Sequence, residues 1–140
     1  MRNFEVLAHT ADIGIVACGR NVPDVFVNAA KGMFSLMTNL NNVNVLFKRR
    51  LCIKSISQKD LLVDWLNELL FYFETDQTVF KDFIINQYNP ENFSLNATAL
   101  GENLDLSRHP IKIQIKACTY HKLELVEGGQ KAQAKVYFDV

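Results

Sequence analysis

The chain reads as one α+β domain, a largely antiparallel β-sheet system with two amphipathic helices packed on it. Three observations point there. Two stretches place apolar residues at helical spacing, most of the remaining chain alternates with period two, and no linker, repeat or low-complexity segment divides the 140 residues. A chain of this length buries about two-thirds of the surface its unfolded form exposes. A single domain over 1–140 therefore needs neither a disulfide nor a structural metal.

Phe4, Glu5, Val6 and Leu7, then Ile13 to Cys18, read as strands around the turn-like His9, Thr10, Ala11 and Asp12. Asn21 has the character of a helix N-cap, with Asp24 three residues on and Pro23 in the first turn, where its missing N–H costs nothing. Phe26, Ala30, Met33, Phe34 and Met37 then recur at helical spacing, which predicts a helix over 22–39. An Asn-rich loop follows. Leu51 to Ser57 alternates as a strand, and Ser57 with Asp60 signals a second cap. Leu62, Trp65, Leu66, Leu69, Leu70 and Phe73 form the apolar stripe of a helix over 59–74. The rest reads as β. Strands over 80–88 and 93–100 flank Asn89-Pro90-Glu91-Asn92, and Ile111, Ile113 and Ile115 alternate with Lys112, Gln114 and Lys116. Strands over 122–127 and 132–139 flank Gly128-Gly129 as a hairpin.

Fifteen basic and fifteen acidic side chains cancel. The basic residues are scattered apart from Lys48-Arg49-Arg50, so strong direct nucleic-acid binding is not the expectation. Cys18, Cys52 and Cys118 are odd in number and far apart, which argues for buried thiols in a reducing compartment. No signal peptide precedes the first strand, and no apolar run reaches the roughly 20 residues of a membrane span. The expected location is cytoplasmic.

Four groups of residues could carry chemistry. Asp12, at a strand start, suits either turn hydrogen bonds or a hard cation. In the last strand Val136, Phe138 and Val140 point one way, which anchors the strand and holds its terminal carboxylate beside Asp139. Adjacent carboxylates repel unless a cation or basic group lies between them. Asp60, Asp64 and Glu68 lie four apart on one helix face, as a solvated stripe or a surface for a partner. Arg108, His109, Lys112, Lys116, His121 and Lys122 form a basic set, with Lys112 and Lys116 expected on one strand face, that reads first as solvated and otherwise as pairing with the acidic groups or meeting a partner. Nothing has zinc-ligand spacing, and there is no phosphate-cradling glycine loop, nucleophile elbow or Cys-x-x-Cys.

At these residues the chain resembles the archease family. His9-Thr10-Ala11-Asp12-Ile13-Gly14 matches its N-terminal signature, and Asp64-Trp65-Leu66-Asn67-Glu68-Leu69-Leu70 its helix motif. Lys116-Ala117-Cys118-Thr119-Tyr120-His121 matches a third segment, and Asp139-Val140 the family's closing pair. The resemblance runs from end to end, in the family's order. It implies a divalent-cation site, calcium foremost, built from Asp12, Asp139 and Val140. It also implies a partner-binding surface that draws on His9, Asp60, Asp64, Glu68, Arg108, Lys116 and His121. The implied role is that of a non-enzymatic cofactor of an RNA-splicing ligase, as in tRNA splicing, promoting the ligase's guanylylation and repeated turnover. A chaperone or modulator of a tRNA-modification enzyme, and a metal-dependent hydrolase, are the alternatives. Ala8, where many relatives carry an acidic residue, and Cys118, in place of an aliphatic one, are departures that remove no implied ligand.

Overall fold

The structure, a computed structural model, describes residues 3–8 and 12–140. Seven strands and two helices follow one another as β1 (Phe4–Ala8), β2 (Asp12–Gly19), α1 (Val22–Met37), β3 (Phe47–Lys54), α2 (Gln58–Asp76), β4 (Thr78–Asn89), β5 (Ser94–Asn103), β6 (Ala117–Gly128) and β7 (Lys131–Asp139), with a short 3-10 turn at Leu40–Asn42. All strand pairs are antiparallel, in a four-stranded sheet of order β1-β2-β7-β6 and a three-stranded sheet of order β3-β5-β4. The α+β reading is thus correct, with the sheet system split in two. Each helix packs on both sheets: α1 on β1, β2 and β7 and on β4, and α2 on β6 and on β3, β4 and β5.

Both predicted caps form. The Asn21 side chain accepts from the Asp24 N–H at 2.9 Å. Ser57 Oγ accepts from the Asp60 N–H at 3.1 Å and donates to the Asp60 carboxylate at 2.8 Å. The helices bury their apolar residues against each other and both sheets. Trp65 Nε1 donates to the Phe26 carbonyl at 2.9 Å, and the Phe34 ring meets Phe80 edge-on at 5.7 Å. β5 lies so close to β4 that a Cβ on Gly101 would stand 2.0 Å from the Val79 carbonyl oxygen, which only glycine permits. Among the described residues no helix is long and apolar enough to cross a membrane.

Two expectations need correction. The Ile111–Ile115 alternation is not a strand but an extended strap. Its bonds run to the end of α1 and to β7: Thr38 Oγ1 donates to the Pro110 carbonyl, the Lys112 N–H to the Met37 carbonyl, and the Lys116 N–H to the Asp139 carbonyl. An unpaired extended chain alternates its side chains just as a strand does, so Ile115 is buried without a ladder. Lys112 and Lys116 consequently share no strand face. The thiols also differ from expectation, since Cys118 is buried but Cys18 and Cys52 are exposed. Each lies on the outward side of its strand, one residue from buried Ala17 or Leu51.

Candidate functional site

The register of β2 against β7 brings the two predicted carboxylates together. Ile13, Ile15 and Ala17 pair with Phe138, Val136 and Ala134, and this set faces the core. The alternate pairs therefore face outward: Asp12 with Asp139, Gly14 with Tyr137, Val16 with Lys135. Directly opposed residues hold their Cβ atoms about 4.5–5.5 Å apart. Asp12 is half-buried and Asp139 exposed. β6 reaches the same place from the other side of β7, with Ala117 opposite Asp139 and the Lys116 N–H donating to the Asp139 carbonyl at 2.8 Å. Val140 follows, partly exposed.

Two carboxylates so placed repel each other, and no basic side chain forms an ion pair with either among the described residues. This oxygen-rich, nitrogen-poor and sulfur-free set suits a hard divalent cation. The described residues hold no cluster of three or more His, Cys, Asp or Glu side chains fit for a metal. A cation here would rest on two carboxylates, a Val140 oxygen and water, which fits a site with open coordination positions.

His121 shares the outward face. Gly14 makes room for the Tyr137 ring, since a Cβ there would lie 2.7 Å from two ring atoms. The β6–β7 register breaks between Thr119 and Glu124, and Lys122 adopts the left-handed region at φ 53°. This irregularity sets the His121 ring 6.3 Å from the Tyr137 ring and Lys122 Nζ 6.0 Å above it. Tyr137 is thus the next outward residue along β7 from Asp139, under His121. His9 lies outside the described residues.

The acidic helix divides. Asp60 receives the Tyr120 hydroxyl at 2.6 Å as well as that of Ser57, and these bonds, Tyr120 first, hold its carboxyl below the usual range. The same bond, helped by burial and by the charges of Asp60 and Asp64, pushes the Tyr120 phenol up to about 12. Asp64 accepts from Ser55 Oγ at 2.5 Å. Glu68 instead faces Tyr72, whose phenol is raised by burial and then by Glu68; Arg49 stacks on the same ring at 4.1 Å. Between them Asn67 grips the Cys118 peptide at both ends, donating to its carbonyl at 3.2 Å and accepting from its N–H at 2.8 Å.

Arg108 belongs to another cluster. It pairs with the buried Glu102 carboxylate, which also receives the Asn44 N–H at 2.6 Å. Fully buried His109 accepts the Asp105 N–H on Nδ1, which leaves its Nε2 proton to face Glu102 at 3.1 Å and the Asn42 carbonyl. The structure therefore brings Asp12, Asp139, Val140 and Lys116 together, sets His121 on the same outward face, and ties Asp60 to β6 through Tyr120, while Asp64 bonds Ser55. Glu68 and Arg108 stand apart. Sequence reasoning missed Asn67, Tyr137 and Glu102. Two of them left a trace: Asn67 lies within the matched helix motif, and Tyr137 alternates with Val136 and Phe138 on the side of Asp139, while Glu102 left none. A groove of about 910 Å³ lined by Cys18, Arg20, Asp24 and Gln133 lies near the other end of the β2–β7 pair, roughly 20 Å away by strand rise.

The model of the Archease protein family (MTH1598/TM1083) matches residues 4–140. A protein archease of Methanosarcina barkeri is 39% identical over 141 residues, covering 99% of this chain and 97% of that one. A protein archease-like of Dictyostelium discoideum is 31% identical, covering 100% of this chain and 95% of that one. The solution structure of Methanobacterium thermoautotrophicum protein 1598 superposes with a TM-score of 0.86 at 34% identity, with full coverage of both chains. A Thermotoga maritima crystal structure, described as an archease and possible chaperone, shares the fold at a TM-score of 0.64 and 18% identity.

Proposed function

The chain belongs to the archease family, and from that premise we propose that it is a non-enzymatic cofactor of an RNA-splicing ligase, acting through a divalent cation at Asp12, Asp139 and Val140. The observation that carries this reading is the pairing of Asp12 with Asp139 across β2 and β7, outside the core. A bound divalent cation would supply positive charge and open positions for anionic oxygens of a partner or its nucleotide. Asp12 and Asp139 hold it from rigid neighbouring strands. Lys116, whose N–H is tied to the Asp139 carbonyl, stands beside it as a cationic contact for the partner. His121 extends the contact along the same face. Asp60 and Tyr120 anchor the adjoining segment of β6 to α2.

The test is to incubate an RNA-splicing ligase with GTP, manganese and this protein. Faster guanylylation of the ligase at substoichiometric protein supports the proposal. Equal protection of unrelated proteins from aggregation, with no effect on guanylylation, would replace it with a chaperone role. RNA or nucleotide turnover by this protein alone would replace it with a hydrolase.

A further inference from the structure

The outward face of the three-stranded sheet carries charge that the rest of the molecule does not neutralise. On β3, Arg49, Leu51 and Ile53 pair with Ala99, Ala97 and Leu95, on the side turned to the core. Lys48, Arg50, Cys52 and Lys54 alternate with them and are exposed. Among the described residues no ion pair involves Lys48, Arg50 or Lys54, nor Lys59, Lys81, Lys112, Lys116, Lys122 or Lys131, whereas Arg20, Lys31, Arg49, Arg108 and Lys135 each hold a carboxylate; what sets the first three apart is that they share one strand face. The three cations make one column along the edge strand. Lys48 and Arg50 are about 7 Å apart by strand rise, and the column spans about 20 Å.

Beside the column the face is mostly polar, with Ile84 and Leu100 as its apolar members. Lys48, Arg50, Cys52 and Lys54 lie opposite Leu100, Thr98, Asn96 and Ser94 of β5. Thr98 donates to Asn86 at 2.8 Å, and Asn96 to Gln87 at 3.2 Å, both across to β4. A shallow depression lies among Arg50, Cys52, Asn86 and Asn96. Asp82, the outward carboxylate opposite Leu100, is taken by Lys31 at 3.2 Å.

We propose that this face binds a single strand of RNA along its sugar–phosphate backbone, with Lys48, Arg50 and Lys54 on phosphates. Charge complementarity gives the polyanion. The choice of RNA over an acidic peptide rests on the exposed amides behind the column, Asn86, Gln87 and Asn96, which keep donors and acceptors beyond the bonds they make to Thr98 and to each other. A glutamate or aspartate side chain seated on the cations brings these amides acceptors alone, whereas RNA brings, with every phosphate, a 2′-hydroxyl that both donates and accepts. The outward set has no aromatic ring to stack on bases, so binding is weak and indifferent to sequence. This surface is separate from the Asp12–Asp139 pair and does not depend on the cation.

Charges on an edge strand also discourage pairing with other chains; that role alone predicts no affinity for RNA. A 5′-labelled oligouridylate dodecamer titrated with the whole protein, read by fluorescence anisotropy, separates the two. We expect a dissociation constant in the range of non-specific binding, about 10⁻⁴ to 10⁻⁶ M, and three phosphates give a salt slope of about −2. Between 50 and 200 mM potassium chloride, affinity should then fall roughly 20-fold. The triple variant Lys48→Gln, Arg50→Gln, Lys54→Gln should lose most of the affinity and the slope. A control triple variant, Lys59→Gln, Lys112→Gln, Lys131→Gln, with the same change in net charge, should keep both; circular dichroism would verify the fold of each. The proposal is overturned by absence of binding at 50 mM salt or by equal losses in the two variants. It is also overturned by a deoxyuridylate dodecamer binding as tightly as RNA, or by polyglutamate competing as well as RNA at equal charge.

Discussion

The amide of Asn67 holds the peptide of Cys118 by both of its polar groups, and so fixes where β6 begins relative to α2. Asn67→Ala would leave a part-buried N–H without its partner and weaken the hold on a carbonyl, at a cost of roughly 2–3 kcal/mol. Urea unfolding should show that loss with an unchanged m-value. Asp12 behaves in the opposite way. Asp12→Asn keeps shape and removes charge, so stability should move by less than about 0.5 kcal/mol, while calcium affinity measured by calorimetry falls on the order of tenfold or more. Unchanged calcium affinity would remove Asp12 from the site. The Tyr120–Asp60 bond gives a pH signature at each end. Tyr120 is raised to about 12 from 10.0, so its contribution is complete below pH 10 and is lost as pH rises through about 12. Asp60 is lowered from 3.8, so its contribution is complete above that value and fades as pH falls through its lower folded value. Absorbance titration should therefore find a late-ionising tyrosine that Tyr120→Phe removes. At this scale Asp12 and Asp139 were each legible as carboxylates at strand ends, but what joined them in one site was the family resemblance, and their register across β2 and β7 came only with the structure. The role of Asn67 was not legible, because its partner lies in a distant segment and no spacing rule couples them.

Elements were read best where the signal is local. Asn21 and Ser57 satisfy amides three residues away, so both helix starts could be found from the chain alone. The strap from Pro110 to Lys116 shows the limit: period two reports an extended backbone, and only the partners of its N–H and C=O groups tell strap from strand. The cysteines failed for a related reason. Alternation along β2 and β3 says that neighbours face opposite ways, but Cys18 and Cys52 are small and apolar enough to suit either side. The structure turns both outward and buries Cys118, whose thiol burial pushes up to about 12. A disulfide reagent at neutral pH should thus modify two thiols quickly in the native protein and the third only when denaturant is added. Three equally slow thiols would contradict the outward placement of Cys18 and Cys52.

Sheet order belongs to the whole molecule, and the sequence left it open: antiparallel strands and two helices fit many arrangements. In the order found, β3, α2, β4 and β5 form a continuous stretch whose strand partners are nearer in sequence than those of the four-stranded sheet, which joins the first two strands to the last two. Contacts between distant segments carry the larger loop-closure entropy, and they form late when nearer ones can form first. The seam between β2 and β7 is such a contact, and it is the seam that sets Asp12 opposite Asp139. We therefore expect the candidate cation site to be absent from the folding transition state and completed only on the downhill side, so that a ligand bound there would slow unfolding without speeding folding. Stopped-flow measurements on Trp65 fluorescence with and without calcium should show the unfolding limb slowed and the refolding limb unmoved. Faster refolding in calcium would mean that the two ends of the chain meet early, and that the seam is where folding starts.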